Sequence, residues 1–154
     1  MTRLIIRQYP DPILREVCER VDPKDEKIER LARDMLDTMY LAGGRGLAAP
    51  QVGFPLQLFV MDPTWKNGTQ TPYICANPFI SALDDTTREC EEMCLSIPDR
   101  PVMVTRPAHV LLRWHDAQDQ PHEEDMTGDA AVICQHEADH LEGRLCIDFE
   151  TDDM

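Results

Sequence analysis

The sequence predicts an α+β fold, with antiparallel strands packed around a long C-terminal helix. Three observations lead there. Strand-like apolar runs come first and one long helix follows them. No internal repeat, low-complexity tract or linker interrupts the chain. Its 154 residues, 17.6 kDa, suit one domain spanning residues 1–154 with a sizeable core.

In chain order, residues 1–22 read as an extended arm punctuated by proline at Tyr9-Pro10-Asp11-Pro12. Over 23–41 the apolar residues Ile28, Leu31, Met35 and Met39 recur at helical spacing. Pro23 suits a first helical turn, Gly43-Gly44 ends the helix, and the two methionines are expected in the core. A glycine-rich stretch follows at 44–53, then strand-like runs at 56–61, 73–80 and 110–114. Residues 116–120 form a turn into a short polar strand at 121–126. The last helix is expected over 129–142, capped at its start by Thr127 or Asp129 and at its end by Gly143.

Charge narrows the function classes. Acidic residues number 29 against 15 basic, a net charge of −14. Residues 1–33 carry +1 and residues 34–154 carry −15. So acidic a body repels phosphate and argues against sequence-independent binding of nucleic acid or anionic membrane. No apolar run approaches the roughly 20 residues that span a bilayer. The apolar stretch after Met1 is also too short for a signal peptide, so a cytoplasmic location is expected. In a reducing compartment the six cysteines are read as core residues, ligands or nucleophiles rather than disulfides.

The sharpest chemical signal is His136-Glu137-Ala138-Asp139-His140, inside the last predicted helix. Histidines at i and i+4 share one face, so both imidazoles can reach one metal ion. Glu137, between them, can act as general base toward a metal-activated water. A catalytic site normally takes a third protein ligand. Downstream, His136-Glu137-x-x-His140-x-x-Gly143 matches the start of the metzincin pattern, which would place the third ligand at Cys146. Upstream, Glu92-Met93-Cys94-Leu95-Ser96 offers Cys94, expected where a strand opens into a loop and leaves its thiol exposed. Cys18, Cys75, Cys90 and Cys134 are read as core.

Three segments, Gly44-Arg45-Gly46-Leu47-Ala48-Ala49-Pro50-Gln51, Glu92-Met93-Cys94-Leu95-Ser96 and His136-Glu137-Ala138-Asp139-His140, in this order and spacing, resemble the three motifs of peptide deformylases. The opening Tyr9-Pro10-Asp11-Pro12-Ile13-Leu14-Arg15 is similar too, and the resemblance spans residues 4–149. It implies one divalent metal ion per chain on Cys94, His136 and His140, natively Fe(II), with Zn(II) or Ni(II) as substitutes. It implies hydrolysis of the N-formyl group from formyl-methionyl nascent peptides, with release of formate. Glu137 is then the base, and the Gln51 amide with the backbone N–H of Leu95 stabilises the oxyanion. Gly44, Arg45, Gly46, Glu92, Asp129, Val132 and Ile133 are the implied substrate-binding residues. Gly46 is expected to let the backbone approach the substrate. Glu92 and Arg106 are expected to form an ion pair beneath the active-site loop.

The chain departs from the family pattern at Met93, where glycine is usual, and at Arg45 and Asp129, where aliphatic residues are usual. Pro101 stands where a peptide-binding arginine is often found, with Arg100 one residue early. An Arg45–Asp129 ion pair at the mouth of the methionine pocket is expected, because two opposite charges beside an apolar pocket should pair. The C-terminal residues Asp148, Glu150, Asp152 and Asp153 are acidic, which argues against ribosome docking through a basic tail.

Overall fold

The computed structural model describes residues 3–149. Two helices and seven strands make up the architecture: α1 (Glu26–Leu41), β1 (Gly46–Ala48), β2 (Leu58–Met61), β3 (Tyr73–Ala82), β4 (Thr87–Cys94), β5 (Ile97–Pro107), β6 (Val110–His115), β7 (Pro121–Met126) and α2 (Gly128–His140). A five-stranded sheet runs in the order β1-β2-β3-β6-β7, and β4 and β5 form a separate hairpin. All paired strands are antiparallel, as the α+β reading requires. Glu150, Asp152 and Asp153 of the acidic C-terminal segment lie outside the described residues.

Sheet position explains the sequence pattern of β2. α1 covers one face and α2 the other, so all four residues of β2 are buried. Leu58 and Val60 pack with Leu31, Ala32, Met35 and Met39 of α1. Phe59 and Met61, pointing the opposite way, pack with Ala131, Ile133 and Cys134 of α2. A strand covered on both faces reads as an unbroken apolar run. At the sheet edge β7 has one covered face, and only Met126 of its six residues is buried.

Several boundaries differ from the expectation. α1 begins at Glu26, not Pro23, because the Asp25 carboxylate accepts from the Lys27 N–H at 2.9 Å and caps the helix there. α1, with 16 residues, is the longer helix; α2 has 13. Thr127 occupies the N-cap position of α2 without a side-chain cap bond, and Asp129 is drawn instead to two arginines. The expected arm contains a single 3₁₀ turn at Pro12–Arg15. Gly143 follows α2 with φ +74°, and a Cβ there would lie 2.4 Å from the Arg15 carbonyl oxygen. The turn after α2 therefore needs glycine both for its backbone angle and for its contact with the arm.

The β4–β5 hairpin is absent from the sequence reading. Its apolar side, Cys94, Ile97, Val102 and Val104, packs on Leu14, Leu145 and Cys146. The resulting third cluster ties the arm and the segment after α2 to the hairpin. Among the described residues all six cysteines are free thiols. Cys18, Cys75 and Cys134 are buried as expected, and Cys90 is only half-buried.

Candidate metal centre and its cleft

Three parts of the chain converge at one point. β1 and the 3₁₀ turn Ala49–Val52 bring Gly46 and Gln51, the end of β4 brings Cys94, and α2 brings His136, Glu137 and His140. Ligand atoms of Cys94, His136 and His140 all lie within 4.8 Å of one another. Cys94 Sγ is 3.4 Å from His140 Nε2, and the two imidazole centroids are 5.1 Å apart. The expected exposure of Cys94 is corrected: it is 4 % exposed, because the hairpin closes over it. Cys146, the alternative third ligand, sits in the apolar cluster beneath, where burial pushes its thiol up to about 11. A thiol held neutral in that way is a poor ligand.

The groups behind this cluster orient it. Glu92, buried, accepts both Nε and Nη2 of Arg106, so the expected ion pair is present. The same carboxylate lies 2.9 Å from His136 Nδ1. That contact leaves Nε2 of His136 to face the other two donors, the usual arrangement around metal-ligating histidines. Arg106 Nη1 donates to Asp139 at 2.8 Å, which links the hairpin to α2. Both oxygens of Glu92 are thus engaged by protein, although the residue also lines the cleft. Sequence reasoning missed Asp139 and Ser96. The only signal for Asp139 was its place three residues after His136 on the same helix.

Gln51 is fully enclosed. Its Oε1 accepts from the Ala48 N–H at 2.9 Å, which aims Nε2 toward Cys94 Sγ at 3.5 Å and Ser96 Oγ at 3.0 Å. The amide dipole is therefore fixed with its donors toward the centre. At Gly46 an added Cβ would lie 2.5 Å from Glu137 Oε2. The space that glycine leaves is filled by the Glu137 carboxylate, where the sequence reading had placed substrate.

Electrostatics distinguishes the three helix residues. Burial raises Glu137 to about 7, although His136 and Arg106 pull the other way. Burial and the His136 charge hold His140 well below its ordinary value. For His136 burial favours the neutral form, but Cys94, Glu137 and Glu92 outweigh it and hold its pKa well above the ordinary value. Glu137 Oε1 and His140 Nδ1 are buried without a hydrogen-bond partner. A buried, unpartnered carboxylate oxygen within reach of the His136 charge is costly in a protein interior and suits a site built around a cation and its water. The donor set, one sulfur and two nitrogens, fits a late first-row divalent ion with an open coordination position.

A cleft of about 530 Å³ leads to this point, lined among others by Gly44, Arg45, Gly46, Gln51, Glu92, Met93, Leu95, Val132, Ile133, His136 and Glu137. Every residue expected at the site except His140 and Asp129 borders it. His140 is fully buried beneath, and Asp129 stands at the rim, 3.2 Å from Arg45 Nη1. A hollow of about 380 Å³ on the opposite face of α2, lined by Val17, Phe79 and Leu141, has no comparable donor set.

Fold and site together define a class: an α+β metal-dependent hydrolase with two histidines one helical turn apart. A family model described as polypeptide deformylase matches residues 4–152, and the chain belongs to that family. It is 44% identical over 139 residues to a peptide deformylase of Bartonella quintana, covering 90% of this chain and 79% of that one. Identity to a peptide deformylase of Afipia carboxidovorans is 45% over 144 residues, covering 94% and 84%. Among solved structures, the Thermotoga maritima peptide deformylase superposes with a TM-score of 0.92 at 37% identity, over 99% of this chain and 100% of that one.

Proposed function

We propose that the chain, acting as one unit over residues 1–154, hydrolyses the N-formyl group of formyl-methionyl nascent peptides and releases formate. The observation that carries this reading is the convergence of Cys94, His136 and His140 within 4.8 Å, next to a buried carboxylate and an aimed amide. Cys94, His136 and His140 would hold one divalent ion, Fe(II) natively, with Zn(II) or Ni(II) able to replace it. When bound, such an ion supplies Lewis acidity and lowers the pKa of a coordinated water toward ~7.

The remaining chemistry belongs to the side chains. Glu137 takes a proton from the attacking water and delivers it to the amine nitrogen as the C–N bond breaks. Gln51 Nε2, with the backbone N–H of Leu95, donates to the oxyanion that develops on the formyl oxygen. Glu92 holds His136 in one tautomer, and Arg106 holds Glu92. Val132 and Ile133 offer an apolar wall to the first side chain of the peptide, while Gly44, Arg45 and Gly46 border its backbone.

The partner under this reading is the formylated nascent chain, in the cytoplasm. A net charge of −14 argues against a nucleic acid or anionic membrane as a second one. Among the described residues no helix is long and apolar enough to cross a membrane. The acidic residues Asp148, Glu150, Asp152 and Asp153 are themselves unsuited to docking on ribosomal RNA. The test is formate release from formyl-Met-Ala-Ser by protein loaded with Fe(II) in the absence of oxygen. Stoichiometric formate with a free amine as co-product is expected; an unreacted peptide in the presence of one bound ion per chain would refute the assignment.

A further inference from the structure

Three charged residues from three elements meet at the rim of the cleft. Arg45 precedes β1, Arg88 belongs to β4 and Asp129 to the first turn of α2. Arg45 Nη1 lies 3.2 Å from Asp129 Oδ2, and Arg88 Nη2 lies 3.6 Å from Asp129 Oδ1. Each oxygen of the carboxylate faces its own guanidinium, so what the rim still offers is donors. A guanidinium carries five N–H donors, and the contact with Asp129 uses one of those on Arg45.

Position on α2 relates this bridge to the chemistry. Asp129 is three and four residues before Val132 and Ile133, which are four and three residues before His136. At 3.6 residues per turn all four fall along one side of the helix, and Asp129 lies roughly 10 Å along the axis from His136. Val132, Ile133 and Arg45 all line the cleft. A first side chain that starts near the reacting formyl group and runs along this wall passes over apolar surface first and meets the charged bridge at its tip.

Resting on the deformylase reading, we propose that Arg45, held by Asp129 with Arg88 behind it, is a specificity-determining residue. Its guanidinium closes the far end of the side-chain pocket and favours formylated peptides whose first side chain ends in a hydrogen-bond acceptor. An aliphatic tip pressed against Arg45 strips water from its N–H groups and returns no partner, which a binding site penalises. A carbonyl or sulfoxide oxygen at the same place accepts from them. A cationic tip is repelled by two guanidiniums sharing one carboxylate. Arg45 is 38 % exposed, so solvent softens the preference without removing it.

The test compares kcat/KM for formyl-Gln-Ala-Ser and formyl-norleucyl-Ala-Ser, side chains of similar length that differ in the acceptor. It uses the metal-loaded parent, Arg45→Ile, Arg45→Lys and Asp129→Leu. The ratio of the two constants within one variant cancels its active fraction, so a partly misfolded variant remains informative. Arg45→Ile is expected to lower the Gln-to-norleucine ratio about tenfold, mainly by faster turnover of the norleucine peptide. Arg45→Lys, which keeps a donor, should fall between it and the parent. A ratio within about twofold of the parent in both Arg45→Ile and Asp129→Leu overturns the proposal while leaving deformylation intact. Absence of formate from both peptides with the metal-loaded parent instead removes the deformylase reading on which it rests.

Discussion

Glu137 occupies a place that few carboxylates tolerate, buried against Gly46 and under the charge of His136, with one oxygen unpartnered. If it is the base and not a ligand, Glu137→Gln should retain one metal ion per chain and lose about 10²–10⁴-fold in kcat. Metal analysis and formate release on the same preparation check both halves. The choice between the two cysteines is as direct. Cys94→Ala should lose the ion, because two ligands hold it poorly, whereas Cys146→Ala should keep it. Metal retained in the first and lost in the second would move the third ligand to Cys146. The motif around the histidines was readable because i, i+4 spacing fixes their common face whatever else the chain does. Spacing alone left open which cysteine joins them, since neither stands at a fixed helical spacing from the histidines; the resemblance named Cys94, and packing brings it to them.

At the level of elements, the hairpin and α2 are joined by Arg106, which holds Glu92 on one side and Asp139 on the other. Both residues of the Glu92–Arg106 pair are nearly fully buried, so Arg106→Ala leaves charges without compensation. Unfolding by urea should show a loss of about 3–5 kcal/mol; a variant matching the parent would mean that the pair contributes little. A second junction lies after β2. Asp62, 0 % exposed, accepts from Tyr40 Oη and from the backbone N–H groups of Thr64 and Thr71. In the same turn Trp65 Nε1 donates to the Gly44 carbonyl at 2.9 Å, beside the cleft. Burial alone would raise the Asp62 pKa, but these donors outweigh it and hold it below its ordinary 3.8. Its stabilisation is therefore complete above the unfolded-state value, and is lost as pH falls through the lower folded value. The stability gap between parent and Asp62→Asn should be largest near about pH 7 and narrow below about pH 4. A gap independent of pH would remove the ionised carboxylate from the account.

For the molecule as a whole, the proposed ligands come from two parts of the fold, the hairpin and α2, each with its own apolar cluster. Under the proposed function, an ion held by Cys94 and the two histidines would clamp these parts together and would bind the folded chain in preference to the unfolded one. Adding Ni(II) at about 100 times its Kd should stabilise the protein by about 2.7 kcal/mol. A thermal melt should show a rise in Tm that Cys94→Ala abolishes. A rise of equal size in that variant would place the bound ion elsewhere.

Local sequence pattern was enough to read the fold class, α1, α2 and the strands expected at 56–61, 73–80, 110–114 and 121–126. It also determined the helical face that carries His136 and His140. Each of these depends on spacing along the chain, which local geometry converts directly into a common face. The β4–β5 hairpin escaped because its inward positions are not simply apolar. Glu92 and Arg106 face inward as a charged pair, so hydrophobic alternation fails, and Leu95-Ser96 between the strands carries none of the glycine or asparagine signals of a tight turn. Long-range packing buries Cys94 beside His140, gives the space at Gly46 to Glu137 and brings Arg88 to join Arg45 on Asp129. Those are contacts between residues 41 to 91 positions apart in the chain. Their physical cause is the packing of α2 against the sheet and the hairpin, which no local pattern encodes.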